Sequence, residues 1–166
     1  MGKDAALRES VAALASRVLL LEDHVAILEL INRWGPAVDT GSSESAASLW
    51  DDDGVLESDL SRLEGPAEVA AMVESEGQQA LIRQGCAHVQ SAPVVVTVDG
   101  DRATAITYSQ VYLHTENGHD VWRVSANQWE CRRTAGGWRL TRRVNRVIDG
   151  SPAPHTILAR AFDKPS

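Results

Sequence analysis

The chain has 166 residues, 43% hydrophobic and 23% charged, with 23 acidic against 16 basic side chains and a net charge of −7. That size suits one domain able to bury roughly 70% of its unfolded surface. The negative balance disfavours nonspecific adhesion to nucleic acid or an anionic membrane, so neither is expected as a partner.

The apolar stretch from Val11 to Leu21 is interrupted by Arg17, and Asp4 and Glu9 spoil a signal-peptide start. No stretch approaches the eighteen or so apolar residues of a membrane span. The two cysteines, Cys86 and Cys131, lack a zinc pattern, and a reduced, soluble, cytoplasmic protein is the expectation.

Leu7, Val11, Leu14, Val18, Leu21, Val25 and Leu28 step alternately by four and three, a heptad seam. One long helix satisfies it, as do two, with Glu22-Asp23 starting the second. The seam serves either packing on its own domain or a contact with another subunit. Ile27, Leu28, Ile31 and Trp34 continue an apolar face to Gly35-Pro36, and Asp39-Thr40-Gly41 breaks it. Ser42 or Ser43 can cap a short helix ending near Leu49-Trp50. Asp51-Asp52-Asp53-Gly54 predicts a turn into a strand at 55–57, because Leu49 violates the calcium-loop spacing. Gly65-Pro66 opens a helix that runs to about Ile82 and ends at Gly85.

Asp99-Gly100, Asn117-Gly118 and Gly136-Gly137 are tight-turn dipeptides at almost equal spacing. The segments between them are rich in Val, Thr, Tyr and Trp, so 87–149 predicts a four-stranded antiparallel meander. Helices first, then a bent sheet, give an α+β fold with a pocket between them. The tail from His155 has room for a short helix.

Two residues stand out for chemistry. His88 shares a strand face with Gln90, and an imidazole in a cleft suits proton abstraction at neutral pH. Asp39 ends a helix that should cover the pocket, where a carboxylate can fix a histidine tautomer and stabilise the imidazolium. Spacing alone leaves open whether they meet, and each also has an ordinary role as a solvated strand end or a turn cap. Asn127 sits in the polar run Ser125-Ala126-Asn127-Gln128, which either lines a cavity or faces solvent. The arginines around Trp138 suit a solvated sheet face or subunit contacts, and Arg143 is the candidate to hold an anionic group. No nucleophile elbow, Walker loop, dinucleotide fingerprint or HExxH motif is present, and the five histidines lack metal-ligand spacing. The expectation is acid–base chemistry with neither metal nor cofactor.

Leu28 through Trp34, Ala37-Val38-Asp39, Ala47 through Asp51, Gly65-Pro66, Cys86-Ala87-His88, Val98 through Asp101 and Gly137 through Leu140 resemble, in order and spacing, SnoaL-like proteins of the nuclear transport factor two superfamily. The resemblance spans residues 22–150, leaving 1–21 as a helical extension and 151–166 as a tail. It implies a cone-shaped barrel of strongly bent, mostly antiparallel sheet covered by helices, with an interior pocket and homo-oligomeric assembly as a trimer or dimer. The site resembles those of scytalone dehydratase and hexachlorocyclohexane dehydrochlorinase, eliminating enzymes with an Asp–His dyad. Asp39 and His88 match the dyad, Asn127 a substrate-orienting asparagine and Arg143 an arginine of the dehydrochlorinase. Trp34 stands where the dehydrochlorinase has a lysine, and Val38 where the dehydratase has a tyrosine, so neither of those substrates is implied. The resulting expectation is a lyase or isomerase for a small, largely apolar cyclic substrate. Asp39 and His88 would be catalytic, and Trp34, Asn127 and Arg143 would bind substrate. A catalytically silent binding or assembly protein of the same fold is the alternative.

Overall fold

The heptad seam lies on one continuous helix, α1 (Gly2–Asn32), in a computed structural model that describes residues 2–163. Residues 3–22 are exposed on every side, and only from Asp23 onward does α1 lie against the body of the protein. There Ile27, Leu30 and Ile31 enter the core. Two short helices follow, α2 (Trp34–Asp39) and α3 (Ser43–Ser48), the latter capped by the Ser42 side chain accepting from the Ser45 N–H.

β1 (Trp50–Glu57) and β2 (Arg62–Glu64) form a short antiparallel pair. The Asp triplet does not form the expected turn. It runs inside β1, whose pairing register shifts between Trp50 and Val55. That irregularity lets Asp51 and Asp53 reach Arg132, at 2.7 and 3.2 Å. The helix expected from Gly65 to Ile82 is broken into α4 (Gly65–Glu74) and α5 (Glu76–Gln84). Ser75 adopts extended backbone between them and caps α5 by accepting from the Gln78 N–H. Gly85 then closes α5 in the left-handed region, at φ 82°, a conformation cheap only for glycine.

The first strand of the expected meander is two strands, β3 (Cys86–Gln90) and β4 (Val95–Asp99), interrupted around Pro93. Both pair antiparallel with β5 (Arg102–Thr115), which is long enough to hold them end to end. β6 (Gly118–Thr134) and β7 (Gly137–Val147) complete the meander. The sheet order is β2-β1-β7-β6-β5-β3 with β4 also on β5, and β1 and β7 run parallel. The result is an α+β fold in which N-terminal helices pack on a curved, mixed and open sheet.

Alternation along β6 separates two apolar clusters. Trp129 joins Trp34, Trp50, Val69 and Leu140 beneath the helices. Ala126 points the other way and meets Ile157 of α6 (Pro152–Ala159). The arginines of β6 and β7 face carboxylates of their own chain: Arg132 the β1 aspartates, Arg142 and Arg146 Glu57, Arg133 Asp23. No described helix is long and apolar enough to cross a membrane.

Arg133 fastens α1 to the sheet through two bonds of 2.6 Å to Asp23, while Trp138 Nε1 donates to the same carboxylate at 3.1 Å. The Arg133 bond, helped by Trp138, holds Asp23 below its ordinary pKa against the opposing effect of burial. A carboxyl depressed in the folded state stabilises above its unfolded pKa, and that contribution fades as pH falls through the folded value. Asp23→Asn should therefore lower the melting temperature by a few degrees at neutral pH. The gap from wild type should narrow as pH drops below about 4. Calorimetry across pH checks this; equal neutral-pH melting would contradict it.

Candidate active site

α2 delivers Asp39 to the edge of β3 because the two elements approach unusually closely. Gly35 makes that approach feasible: a Cβ built there would lie 2.1 Å from the His88 carbonyl oxygen. Asp39 then bonds β3 three times. Its Oδ2 accepts from the His88 backbone N–H at 2.7 Å, its Oδ1 lies 2.5 Å from His88 Nδ1, and the Cys86 thiol approaches Oδ1 at 3.7 Å. Both dyad side chains are about four-fifths buried, at 17% exposure for His88 and 22% for Asp39.

The carboxylate can only accept, so the neutral imidazole carries its proton on Nδ1. Nε2 is left as the basic atom, without a hydrogen-bond partner among the described residues. Burial first, then the charge of Asp39 and its hydrogen bond, push the Cys86 thiol up to about 11. It stays a neutral donor. The ligand atoms of Asp39, Cys86 and His88 lie within 4.8 Å of one another, so the trio could supply three donors to a metal. That would require giving up the Nδ1 bond and ionising the thiol.

His88 lines a cavity of about 240 Å³ beneath the helices. Trp34, Val38, Leu56, Met72 and Val111 supply apolar wall, while Gln90, Ser109, Ser125 and Arg143 supply polar surface. Asp39 is not part of that wall; it stands behind the imidazole. Arg143 is buried, with its guanidinium 4.4 Å from the Trp129 ring centroid and 5.2 Å from that of Trp34. It makes no ion pair among the described residues. Burial, and then the nearby charge of Arg123, pull it down to about 9, and it remains a cation at neutral pH.

Asn127 corrects an expectation. It is fully buried and does not line the cavity, so it cannot touch a ligand there. Its Oδ1 instead accepts from Arg143 Nε and Nη2, at 3.0 and 2.9 Å, and from Asn145 Nδ2 at 2.7 Å. Its Nδ2 donates to Ser109 at 2.9 Å. Within the polar run that suggested a substrate contact, Asn127 holds the Arg143 guanidinium in place, while Ser125 is the member that lines the cavity.

Gln90 was legible as a neighbour on the His88 strand face, while several other lining residues escaped the sequence. Gln78 Nε2 and Gln90 Oε1 are buried without hydrogen-bond partners, and both residues face the cavity. Arg123 reaches it while tied to Asp59 and Asn145, and half-exposed Trp122 also lines it. Strand parity places Ser109 and Ser125 on the His88 face, a signal available from alternation. Nothing in the pattern of α5 marks Gln78.

A helix-covered sheet enclosing a small cavity with a buried Asp–His pair defines a class of pocket proteins. The SnoaL-like domain family matches residues 20–144, and the chain belongs to that family. An NTF2-like protein with a cystatin-like fold from Novosphingobium aromaticivorans is 42% identical, with 87% of this chain and 94% of that one covered and a TM-score of 0.84. A Mycobacterium tuberculosis protein of unknown function, Rv3472, shares 22% identity over 90% and 83% of the two chains, with a TM-score of 0.70. The hexachlorocyclohexane dehydrochlorinase LinA-type3 of Novosphingobium barchaimii shares 19% identity over 84% and 90%, with a TM-score of 0.62, a likeness of fold. Among curated protein sequences nothing matches the chain.

Two substitutions test the construction of this site. Gly35→Ala should cost about 1–3 kcal/mol through overpacking against β3. Asn127→Leu should cost about 2–3 kcal/mol by stripping a buried guanidinium of its acceptor. Denaturant unfolding measures both, and stability within error of wild type for either would contradict the packing described.

Proposed function

We propose that the protein is a lyase or isomerase that removes a proton from carbon, with His88 as the base. The observation that carries this reading is the bond between Asp39 and His88 Nδ1, which leaves Nε2 free on a residue of the cavity wall. In the reaction Nε2 takes the proton, and the C–H electron pair moves toward an adjacent activating group. In an elimination that pair forms the new double bond as the leaving group departs with its own electrons. In an isomerisation the proton returns to another carbon. Asp39 stabilises the imidazolium in either case.

In this reading Arg143 stabilises negative charge on the activating or leaving group, because its buried charge meets no carboxylate among the described residues. The apolar walls favour a ring, and benzene fits an apolar cavity of about 150 Å³. A one-ring substrate with a few substituents therefore suits this volume. The unpartnered Gln78 and Gln90 amide atoms supply a donor and an acceptor for its polar edge. Trp34 presents an aromatic wall to the ring. No step requires a cofactor.

The test begins with one-ring carbon acids bearing a carboxylate or an enolisable carbonyl, screened for protein-dependent deuterium uptake in heavy water by NMR. His88→Ala should slow uptake by about 10²–10⁴, the usual worth of a positioned general base. Asp39→Asn should slow it too, and the double variant should be little worse than His88→Ala, since the pair acts as one unit. Uptake unaffected by His88→Ala would place the chemistry elsewhere. A ligand bound tightly at the cavity with no exchange would favour the silent binding protein.

A further inference from the structure

The N-terminal part of α1 is a solvent-exposed helix with an apolar seam and no partner among the described residues. Leu7, Val11, Leu14, Val18 and Leu21 each keep more than half of their surface in water. A helix of some twenty residues with nothing packed on it is marginal in water, so a continuous α1 calls for a second surface.

The seam has a distinctive composition. In heptad notation Leu7, Leu14, Leu21 and Leu28 all occupy d, and Val11, Val18 and Val25 all occupy a. Valine at a with leucine at d is the combination that favours two parallel strands, because β-branched side chains pack well at a in a dimer. Of the residues joining α1 to the body, Asp23, Ile27 and Leu30 fall at c and f, and Ile31 falls at g, beyond the last leucine of the seam. Through Leu30 the seam and the body thus lie on opposite sides of the helix, and pairing along the seam as far as Leu28 leaves the body contacts in place.

We propose that two copies of this chain associate through α1 as a parallel two-stranded coiled coil. The flanking charges agree with that geometry. In a parallel pair each g residue faces the e residue five positions later on the other helix. Arg17 would face Glu22 of the partner subunit, and His24 would face Glu29 of the partner subunit. Within one chain Glu29 also bonds Arg33, at 3.1 Å. Lys3 opposite Arg8 of the partner subunit repels, which favours fraying at the free end. An antiparallel pair would set the g residues Lys3, Arg17 and His24 against their own kind. Covering the seam on both helices removes from water the exposed apolar area of Leu7, Val11, Leu14, Val18, Leu21, Val25 and Leu28 of each chain, the burial that drives association. The flanking side chains add to that area.

Light scattering of the full chain at micromolar concentration should return twice the 18.0 kDa chain mass. Leu14→Glu with Leu21→Glu should return the single mass with the near-ultraviolet dichroism of the body unchanged, since both side chains already face solvent. For orientation, Val18→Cys sits at an a position that meets itself across a parallel dimer and should oxidise to a covalent dimer. Ser16→Cys, at f, should not. A wild-type monomer or trimer would overturn the proposal. So would a dimer indifferent to the Leu14/Leu21 change, or a Val18→Cys dimer that fails to cross-link.

Discussion

A single carboxylate ties the helical layer to the edge of the sheet. Asp39 reaches both the backbone and the imidazole of His88, and it can do so only because Gly35 offers no side chain where α2 passes over β3. The backbone bond anchors the strand at its third residue, and the side-chain bond fixes which ring nitrogen is basic. Fold and chemistry therefore draw on the same two oxygens. A dyad built this way resists rotamer drift, since turning the carboxylate to release the ring would also release the strand.

The opposite wall is set by an electrostatic constraint. A guanidinium out of contact with water is costly unless its donors and charge are accommodated. Here two indole faces and one amide oxygen do so without neutralising it. A carboxylate in the place of Asn127 would make a stronger pair and would cancel the charge felt inside the cavity. Asparagine keeps the cation in position and leaves its field available to a ligand. The surrounding arginines contrast with it, since Arg132, Arg133, Arg142 and Arg146 all meet acids of their own chain.

Turn chemistry made the β5–β6–β7 meander legible, because Asn117-Gly118 and Gly136-Gly137 constrain the backbone locally. The Asp39–His88 meeting depended on family resemblance, since no local rule relates residues 49 apart. The break at Pro93 was present in the sequence but outweighed by the apolar run beyond it. Ser75 was equally visible as a cap, and the periodicity of its neighbours concealed it. Asn127 was singled out correctly as an inward polar residue and misassigned in its contact. Alternation reports which face a side chain takes; whether a cavity or another side chain waits there depends on β7, which supplies both Arg143 and Asn145. The Asp triplet failed for a similar reason, because its place in β1 depends on Arg132, 81 positions from Asp51.

The open sheet has two margins, and neither offers a continuous run of free backbone. One is β2, only three residues long and bordered by Arg62 and Glu64. The other is divided between β3 and β4, with Pro93, which has no N–H to donate, in the interruption. Short, charged and broken margins are the means by which sheets avoid templating further strands from neighbouring molecules. A chain with long, alternating β5 and β6 strands is thereby guarded against fibrous growth through backbone ladders.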